Sequence, residues 1–377
     1  MRFTDTEIER RHRAIQGLLK AKDLQALLLI GDMTVGHSFY GDFRYYTNNQ
    51  VFFQRQVVVL LPDAAPVLFN YSDFSRRASV ERSFIDDVRV STNFIADTVR
   101  LLREQRADRG RIGVSFEMLP TVWYMYLRTE LPDATLLDVH DDIMEIRLLC
   151  SEEEMEVYRK GATLADAAFS AALKVIRPGI SEYEVIAEIE YAARKQGAEE
   201  QFTLIGSGKF AFGDAQSLPL PVPPSARRIQ AGDSIIMEIT PRYRGYWTQL
   251  VRMVNVGQPN HDLEKMQVVC RDAIKGGLEE FAPGRRVKDV TLAMQEYIAK
   301  TGFVPRPPFG HMCGIDLVEE RVSLDNERLL TPGIAAIIHP MVRTADGKNV
   351  IFWGETYLVT KKGFERLHTT GDELLTV

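Results

Sequence analysis

The first part of the chain alternates between two patterns of apolar residues. Thr4 and Glu7 form a capping box before apolar positions that recur at helical spacing, which predicts an amphipathic helix. The segments 24-LQALLLIG-31 and 57-VVVLLP-62 are short and almost wholly apolar, as buried strands are. Further strand and helix patterns follow to about residue 148. We therefore predict an N-terminal α/β domain over residues 1–148.

The rest of the chain, residues 149–377, contains an internal duplication. A second capping box, 151-SEEE-154, begins a long predicted helix. The segment 175-VIRPGISEYEVIAEIEYAARKQG-197 aligns without a gap on 280-EFAPGRRVKDVTLAMQEYIAKTG-302. Each copy predicts a helix, a Pro-Gly turn, a second helix that ends at glycine, and then strands. A long repeat that occurs only twice predicts a pseudo-two-fold α+β domain rather than a solenoid.

The duplication also pairs two apolar strands that each contain one polar residue. In 235-IIMEITP-241 that residue is Glu238, and in 336-AIIHPMV-342 it is His339. A carboxylate inside an apolar strand costs free energy unless another group pairs with it or the protein uses it. Strands related by a pseudo-dyad bring corresponding positions close together. We therefore predict one central site that contains Glu238, Gln249, His339 and Glu355.

Composition and charge exclude several classes of function. The chain has 377 residues and a formal net charge of -6, which argues against nucleic acid as a partner. No apolar run approaches the ~20 residues needed to span a bilayer, and the N-terminal residues lack the apolar stretch of a signal peptide. Three scattered cysteines suit neither a disulfide framework nor a zinc cluster. We expect a cytoplasmic protein with no membrane partner.

Five segments together resemble the pita-bread family, which includes creatinase, aminopeptidase P, prolidase and methionine aminopeptidase. They are 39-FYGDFRYYTNNQ-50, 232-GDSIIMEITPRYRGYWTQLVRMVNVGQP-259, 309-FGHMCGIDLVEE-320, 335-AAIIHPMV-342 and 354-GETYLVTKKG-363. The resemblance covers nearly the whole chain. It implies an α+β protein in which a creatinase-type N-terminal α/β domain precedes a pita-bread catalytic domain of duplicated ααββ units.

The metal-binding positions of that family are altered in this chain. Two-metal members use Asp, Asp, His, Glu and Glu, and hard divalent ions need several such carboxylates. The resemblance therefore implies that a two-metal peptidase centre is absent, and we expect no cofactor. The matching positions hold Glu238, Gln249, His311, His339 and Gly354, with Glu355 one residue further on.

The altered site is most similar to metal-independent members such as creatinase and ectoine hydrolase. This resemblance implies a hydrolase of a carbon–nitrogen bond, other than an ordinary peptide bond, in a small polar nitrogen compound that bears a carboxylate. Glu238 would act as nucleophile or base, and His339 and His311 as acid and base. Creatine itself is a poor substrate, because 217-SLPLPVPP-224 lacks the histidine that creatinase has there.

A second resemblance concerns the segment 52-FFQRQVVVL-60. It is similar to the creatinase segment whose phenylalanine and arginine reach the site of the neighbouring subunit, which implies a homodimer. Arg55 would then bind the substrate carboxylate with its planar fork, and Phe53 would lie beside it. Tyr45 either lines the same mouth or packs in the core.

Other interpretations of these residues stay open. Glu238 could be a buried structural acid, and a lone histidine in a strand is often a satisfied core residue. Gln249 would supply a hydrogen bond to the substrate, and Glu355 is either a site acid or part of the rim. Glu238, His311 and His339 could instead hold a single ferrous or zinc ion. Finally, the protein could be a non-catalytic member of the family that binds a small molecule.

Overall fold

A computed structural model describes residues 3–32, 41–51, 53–214 and 221–377 of the chain. Phe39, Tyr40 and Phe52 of the creatinase-like segments, and residues 217–220 of the segment without histidine, lie outside the described residues. The chain folds as two compact units. The first comprises Met1–Leu148 with Gly314–Leu317, and the second comprises Leu149–Cys313 with Val318–Val377.

The first unit contains a mixed sheet with apolar clusters on both faces. Ala26, Leu28 and Ile30 enter one cluster, whereas Leu27 and Leu29 enter the other, so the predicted buried strand is confirmed. The described helices are α1 (Asp5–Ala21), α2 (Gly41–Thr47), α3 (Asp73–Arg82), α4 (Phe94–Glu104), α5 (Thr121–Glu130) and α6 (His140–Leu148). The strands are β1 (Leu24–Gly31), β2 (Gln56–Leu60), β3 (Val67–Asn70), β4 (Asp87–Val90), β5 (Gly110–Val114) and β6 (Ala134–Asp138), in the order β4-β3-β2-β1-β5-β6.

A short segment from the second half of the chain, Gly314–Leu317, belongs to the first unit. The Asp316 carboxylate accepts a hydrogen bond from the Gly41 N–H at 3.0 Å and pairs with Arg147 at 3.1 Å. Both charged side chains are buried. The sequence-based division at residue 148 assigned this segment to the second domain, because an ion pair between residues so far apart leaves no local pattern.

The second unit combines two pairs of helices with a large sheet. None of its described helices, nor any described helix elsewhere, is long and apolar enough to cross a membrane. The helices are α7 (Glu152–Val175), α8 (Glu182–Lys195), α9 (His261–Glu280) and α10 (Val287–Lys300). The strands are β7 (Glu200–Gly208), β8 (Ser234–Tyr243), β9 (Tyr246–Trp247), β10 (Leu250–Asn255), β11 (Val304–Pro305), β12 (Gly310–Met312), β13 (Ala335–Ile338), β14 (Met341–Arg343), β15 (Val350–Phe352), β16 (Gly354–Thr360), β17 (Gly363–Arg366) and β18 (Leu375–Thr376).

The order of the strands follows the internal repeat. The main path of the sheet is β12-β13-β16-β10-β8-β7, so β8 and β13 occupy equivalent places on the two sides of the central pair β10 and β16. The aligned glycines after the first helix of each copy, Gly179 and Gly284, both adopt left-handed backbone with φ of 93° and 84°. Glycine adopts this conformation without a steric cost. The predicted duplication is therefore confirmed.

Candidate functional site

The two faces of the large sheet differ in what covers them. Met237, Ile239 and Leu250 lie in the apolar cluster formed with α7 and α8. Successive side chains of a strand point to opposite faces. Glu238 and Thr240 therefore point to the face turned away from these helices, which we call the site face.

Gln249 connects the polar groups of the site face. Its amide Nε2 donates to Glu238 Oε1 at 2.6 Å and to Thr240 Oγ1 at 3.1 Å. Thr356 Oγ1 accepts from the Gln249 backbone N–H at 2.8 Å and donates to the Gln249 carbonyl at 3.2 Å. Gln249 is thus held from two strands, its side chain by β8 and its backbone by Thr356 of β16. Glu238 and Gln249 are predicted from the sequence, whereas the two threonines are not.

The sequence contains a signal for only one of these two threonines. Thr240 follows Glu238 by two residues, so the period of a strand places both side chains on one face. Thr356 lies on β16, 107 residues beyond Gln249 in the chain. Only the pairing of β10 with β16 brings it to the site, and the amino-acid pattern of either strand does not contain that register.

Glu238 has no positive partner among the residues that the structure describes. Burial raises its pKa to about 7, and the hydrogen bond from Gln249 offsets only part of this effect. No histidine contributes to the pKa of Glu238 among the described residues. The carboxylate therefore exchanges its proton near neutral pH, and its charged form is poorly compensated within the described part of the chain.

The two histidines form a separate pair. The ring centroids of His311 and His339 are 5.3 Å apart at an interplanar angle of 70°, and His339 also contacts Phe352. Burial lowers the pKa of His339 to about 4. The imidazole of His339 is therefore neutral at pH 7. An imidazolium that donates its proton to a leaving nitrogen, as we predicted for His339, does not fit this environment.

Glu238 and the histidines share the site face, but they do not contact one another. Glu238 on β8 pairs with Val251 on β10, and Val251 pairs with Gly354 on β16. Strand β13 lies on the other side of β16, and His339 is the residue after β13. Three strand spacings correspond to about 14 Å between backbone positions. Among the described residues, no group of three or more His, Cys, Asp or Glu side chains could hold a metal ion. The single-ion alternative is therefore not supported by this geometry.

The pairing of β10 with β16 decides which residue replaces the last family glutamate. Leu250 lies opposite Glu355, and Val251 lies opposite Gly354. Directly paired residues point to the same face, so Glu355 points toward the helices and Gly354 lies on the site face. A Cβ atom on Gly354 would be 1.9 Å from the Ile338 carbonyl oxygen. The position that faces the site therefore has no room for a carboxylate side chain.

Glu355 is a buried ion-pair residue on the helix side. Its oxygens accept hydrogen bonds from the guanidinium groups of Arg252 and Arg366, and from the Tyr357 hydroxyl at 3.1 Å. Burial raises the pKa of Glu355, but the two guanidinium groups more than offset this, so the pKa lies below its ordinary value. The alternative in which Glu355 is a site acid is not supported, because its carboxylate points away from the site face and is already paired.

The residues present do not fit a two-metal centre. The five matched positions supply one carboxylate, Glu238, and one of the two required aspartates is the neutral Gln249. The next acid along β16, Glu355, points to the other face, and Gly354 cannot be extended. Dinuclear sites for hard cations depend on several carboxylates that bridge the ions. This chain therefore has no negatively charged side chain at three of the four positions where such a site needs one, namely Gln249, His339 and Gly354.

The candidate residues of the first unit divide into one group at a cavity and one residue in the core. Arg55 and Phe53 line a cavity of about 580 Å³, where Arg55 pairs with Asp32 at 2.5 Å. Phe53 is 54% exposed. Tyr45 is only 1% exposed and packs 4.5 Å from the guanidinium of Arg11. The burial of Tyr45 supports the alternative in which it packs in the core rather than lining the mouth. The roles of Arg55 and Phe53 stay predictions.

Replacing Gly354 by alanine is expected to destabilise the protein by about 1–3 kcal/mol or more, because the added methyl group overlaps the Ile338 carbonyl. The matched control is Gly276→Ala in α9, where a Cβ meets no atom within 4 Å. This control should be neutral or stabilising by up to about 1 kcal/mol. Urea unfolding of both variants measures the difference, and an unchanged midpoint for Gly354→Ala would show that β13 and β16 are not packed as described.

Three comparisons relate the chain to known proteins. The family model described as Metallopeptidase family M24 matches residues 156–361, and that of the Creatinase/Prolidase N-terminal domain matches residues 11–149. The chain is 31% identical to a Xaa-Pro dipeptidase of Pyrococcus horikoshii over 242 residues, which are 63% of this chain and 67% of that protein. It is 23% identical to a creatinase of Bacillus sp. over 369 residues, 92% of this chain and 86% of that protein. The X-Pro aminopeptidase of Thermotoga maritima shares the fold, with a TM-score of 0.86 and 20% identity over the full length of both chains.

These findings confirm the predicted fold and correct the predicted chemistry. A creatinase-type N-terminal domain followed by a pita-bread domain is the architecture that we expected. The prediction of a metal-independent hydrolase of small carbon–nitrogen compounds, with no action on ordinary peptide bonds, is wrong. Two relatives that are 31% and 30% identical to the chain are named Xaa-Pro dipeptidase, and the matching family is one of metallopeptidases. The aligned region spans about two thirds of those relatives' own length, 67% and 68%.

Proposed function

The chain belongs to metallopeptidase family M24, and from this membership and its altered ligand positions we propose that it binds a short peptide without hydrolysing it. The relatives named Xaa-Pro dipeptidase suggest a dipeptide with proline in second place as the ligand. The single observation that supports loss of hydrolysis is the register that puts Gly354, rather than Glu355, on the site face. A peptidase centre built on two bridged cations has no acid there.

The site face retains the groups that a binding protein needs. Glu238 on β8, His311 on β12 and His339, the residue after β13, are half-buried among neighbours that are mostly buried, so each presents a polar surface to a ligand. About 14 Å separates the backbone positions of Glu238 and His339, which a dipeptide of about 7 Å spans only together with the side chains at both ends. Both imidazoles and the carboxylate can form hydrogen bonds with peptide groups.

Calorimetric titration with alanyl-proline tests binding, and release of free proline tests hydrolysis in the same samples. We expect a measurable heat of binding and no proline release above the protein-free blank, with or without added Mn²⁺. Elemental analysis of protein purified without added metal should find less than stoichiometric metal. Proline release that depends on Mn²⁺ would contradict the proposal, and one tightly bound ion per chain would support the single-ion alternative.

The variant Gln249→Asp sharpens this test. It restores an acid at one altered position but leaves Gly354 without a side chain. Because a two-metal site needs both, the variant should still release no proline. Hydrolysis by Gln249→Asp would show that one carboxylate alone separates this chain from an active peptidase.

The quaternary arrangement is a further part of the proposal. We propose a homodimer in which Phe53 and Arg55 of one subunit reach the ligand bound by the other. Sedimentation in solution would establish the dimer, and Arg55→Ala should weaken peptide binding in it. A monomer with undiminished affinity would remove Arg55 from the binding site.

A further inference from the structure

A second cavity of the large sheet lies on its helix side, away from the site face. Glu355 and Tyr357 line it, and because they are two residues apart on β16 their side chains point to the same face. Helix α9 contributes Ile274 and Leu278 to the opposite wall. The volume of the cavity is about 260 Å³. We call it the helix-side cavity.

Apolar side chains form much of the wall of the helix-side cavity. Trp353, Ile274 and Leu278 are buried, and the ring of Tyr357 packs edge-on against Phe364 with the centroids 6.1 Å apart. A dry apolar cavity of about 150 Å³ is large enough to bind benzene. The helix-side cavity therefore has room for one aromatic ring together with a small polar group.

Positive side chains outnumber negative ones around this cavity. The cationic residues in its wall are Arg252, Arg271, Lys275 and Arg366. The carboxylates in the wall are those of Glu355 and Asp372, and Asp272 pairs with Arg271 and Lys275 from outside it. Among the described residues, four cations against these three carboxylates leave one positive charge. The whole chain has a net charge of -6, so the sign is reversed here and suits a ligand with one negative charge.

Two of the arginines keep hydrogen-bond donors that a ligand can use. Arg271 donates to Asp272 through Nε at 3.0 Å, and no described hydrogen bond uses its Nη1 or Nη2 group. Arg366 binds Glu355 and the Thr370 carbonyl through Nε and Nη2, which leaves its Nη1 group within the described part of the chain. Guanidinium groups form strong hydrogen bonds with carboxylates.

We infer that the helix-side cavity binds a small aromatic carboxylate. The ring of this ligand would pack beside Trp353, and its carboxylate would accept hydrogen bonds from Arg271 and Arg366. Arg252 contributes charge only, because its donors are used by Glu355 and by backbone carbonyls. The inference goes beyond the proposed function and does not depend on it, since the peptide is proposed to bind on the other face of the sheet.

Benzoate and its neutral analogue benzamide test this inference with the unmodified protein. The two compounds have nearly the same size and shape, so they differ mainly in the negative charge. Each is titrated separately, and binding is followed by saturation-transfer NMR. Hydrogen bonds to charged groups are stronger than neutral ones, and we expect benzamide to bind at least about tenfold more weakly than benzoate.

Arg271→Gln tests the residue itself. This variant should weaken benzoate by about tenfold and leave benzamide unchanged, because only the anion uses the guanidinium charge. The matched control, Lys265→Gln, removes a positive charge from an exposed residue of the same helix outside the cavity wall and should bind both compounds as the unchanged protein does. Circular dichroism confirms that each variant is folded.

The possible outcomes separate this inference from the proposed function. A preference for benzoate that disappears in Arg271→Gln supports the inference. Equal affinity for benzoate and benzamide overturns the carboxylate assignment, and benzoate binding that Arg271→Gln does not weaken overturns the location. Absence of benzoate binding overturns the inference as a whole. Titration of Arg271→Gln with alanyl-proline should give the affinity of the unchanged protein, so failure of the peptide proposal is recognised independently.

Discussion

Glu355→Gln is expected to lower the free energy of unfolding by about 3–5 kcal/mol, the range for removing one partner of a buried ion pair. Arg252 and Glu355 are both almost fully buried. The substitution leaves the Arg252 guanidinium without its counter-charge, next to Trp353 at 4.7 Å. The large cost comes from this uncompensated cation rather than from the lost hydrogen bond alone.

Urea unfolding measures this effect, and a nearby glutamate provides the control. Glu365 pairs with Arg159 at 2.8 Å on the adjoining strand β17, but both side chains are about one third exposed. Water screens such a pair, so Glu365→Gln should cost below about 1 kcal/mol. Equal small losses for Glu355→Gln and Glu365→Gln would mean that Glu355 is not enclosed by its arginines. It could then turn toward the site face, and the register argument would fail.

Glu238→Gln is expected to stabilise the ligand-free protein at pH 8 by about 3 kcal/mol and to change little below pH 4. In the folded protein the pKa of Glu238 is about 7, whereas its ordinary value is 4.5. Between these values the folded state binds more protons than the unfolded state, so stability falls as pH rises through this window. One pKa unit corresponds to about 1.36 kcal/mol, and glutamine has no proton to lose.

His339→Asn serves as the opposite control in the same experiment. The folded pKa of His339 is about 4 and its ordinary value is 6.5. Here the unfolded state binds more protons within the window, so stability is lost as pH falls from 6.5 toward 4. His339→Asn should remove that loss on the acid side. Chemical unfolding from pH 4 to pH 8 gives the free energy of unfolding of the three proteins as a function of pH. Parallel curves for Glu238→Gln and the unchanged protein would show that burial does not raise the pKa of Glu238.

The opposite signs of these two effects describe a site built for a ligand. Burial destabilises the ionised carboxylate of Glu238 at high pH and the protonated imidazole of His339 at low pH. An unpaired buried charge is usually removed from a protein unless it has a use. In the proposed function the use is to bind a short peptide, whose polar groups would compensate the buried charge.

The amino-acid sequence alone determined the fold and half of the site. The gap-free repeat fixes glycines at equivalent turns, and both adopt the backbone that only glycine takes easily. Apolar strands with one interior acid or histidine placed Glu238 and His339 at equivalent positions. The spacing between Glu238 and Gln249 suits two antiparallel strands, and the structure joins these side chains at 2.6 Å. These features are local or repeated, so they leave a pattern along the chain.

Only the tertiary structure decided which side each remaining group faces. A shift of one residue in a strand moves a side chain to the opposite face, and the sequence could not choose between Gly354 and Glu355. The ladder between β10 and β16 makes that choice, and the arginines that hold Glu355 come from distant parts of the chain. The same holds for Tyr45, which packs against α1. It also holds for the pKa of Glu238, which is raised because the fold brings no cation to this carboxylate among the described residues. Burial and charge pairing are properties of the assembled fold, so a linear pattern of residue types does not contain them.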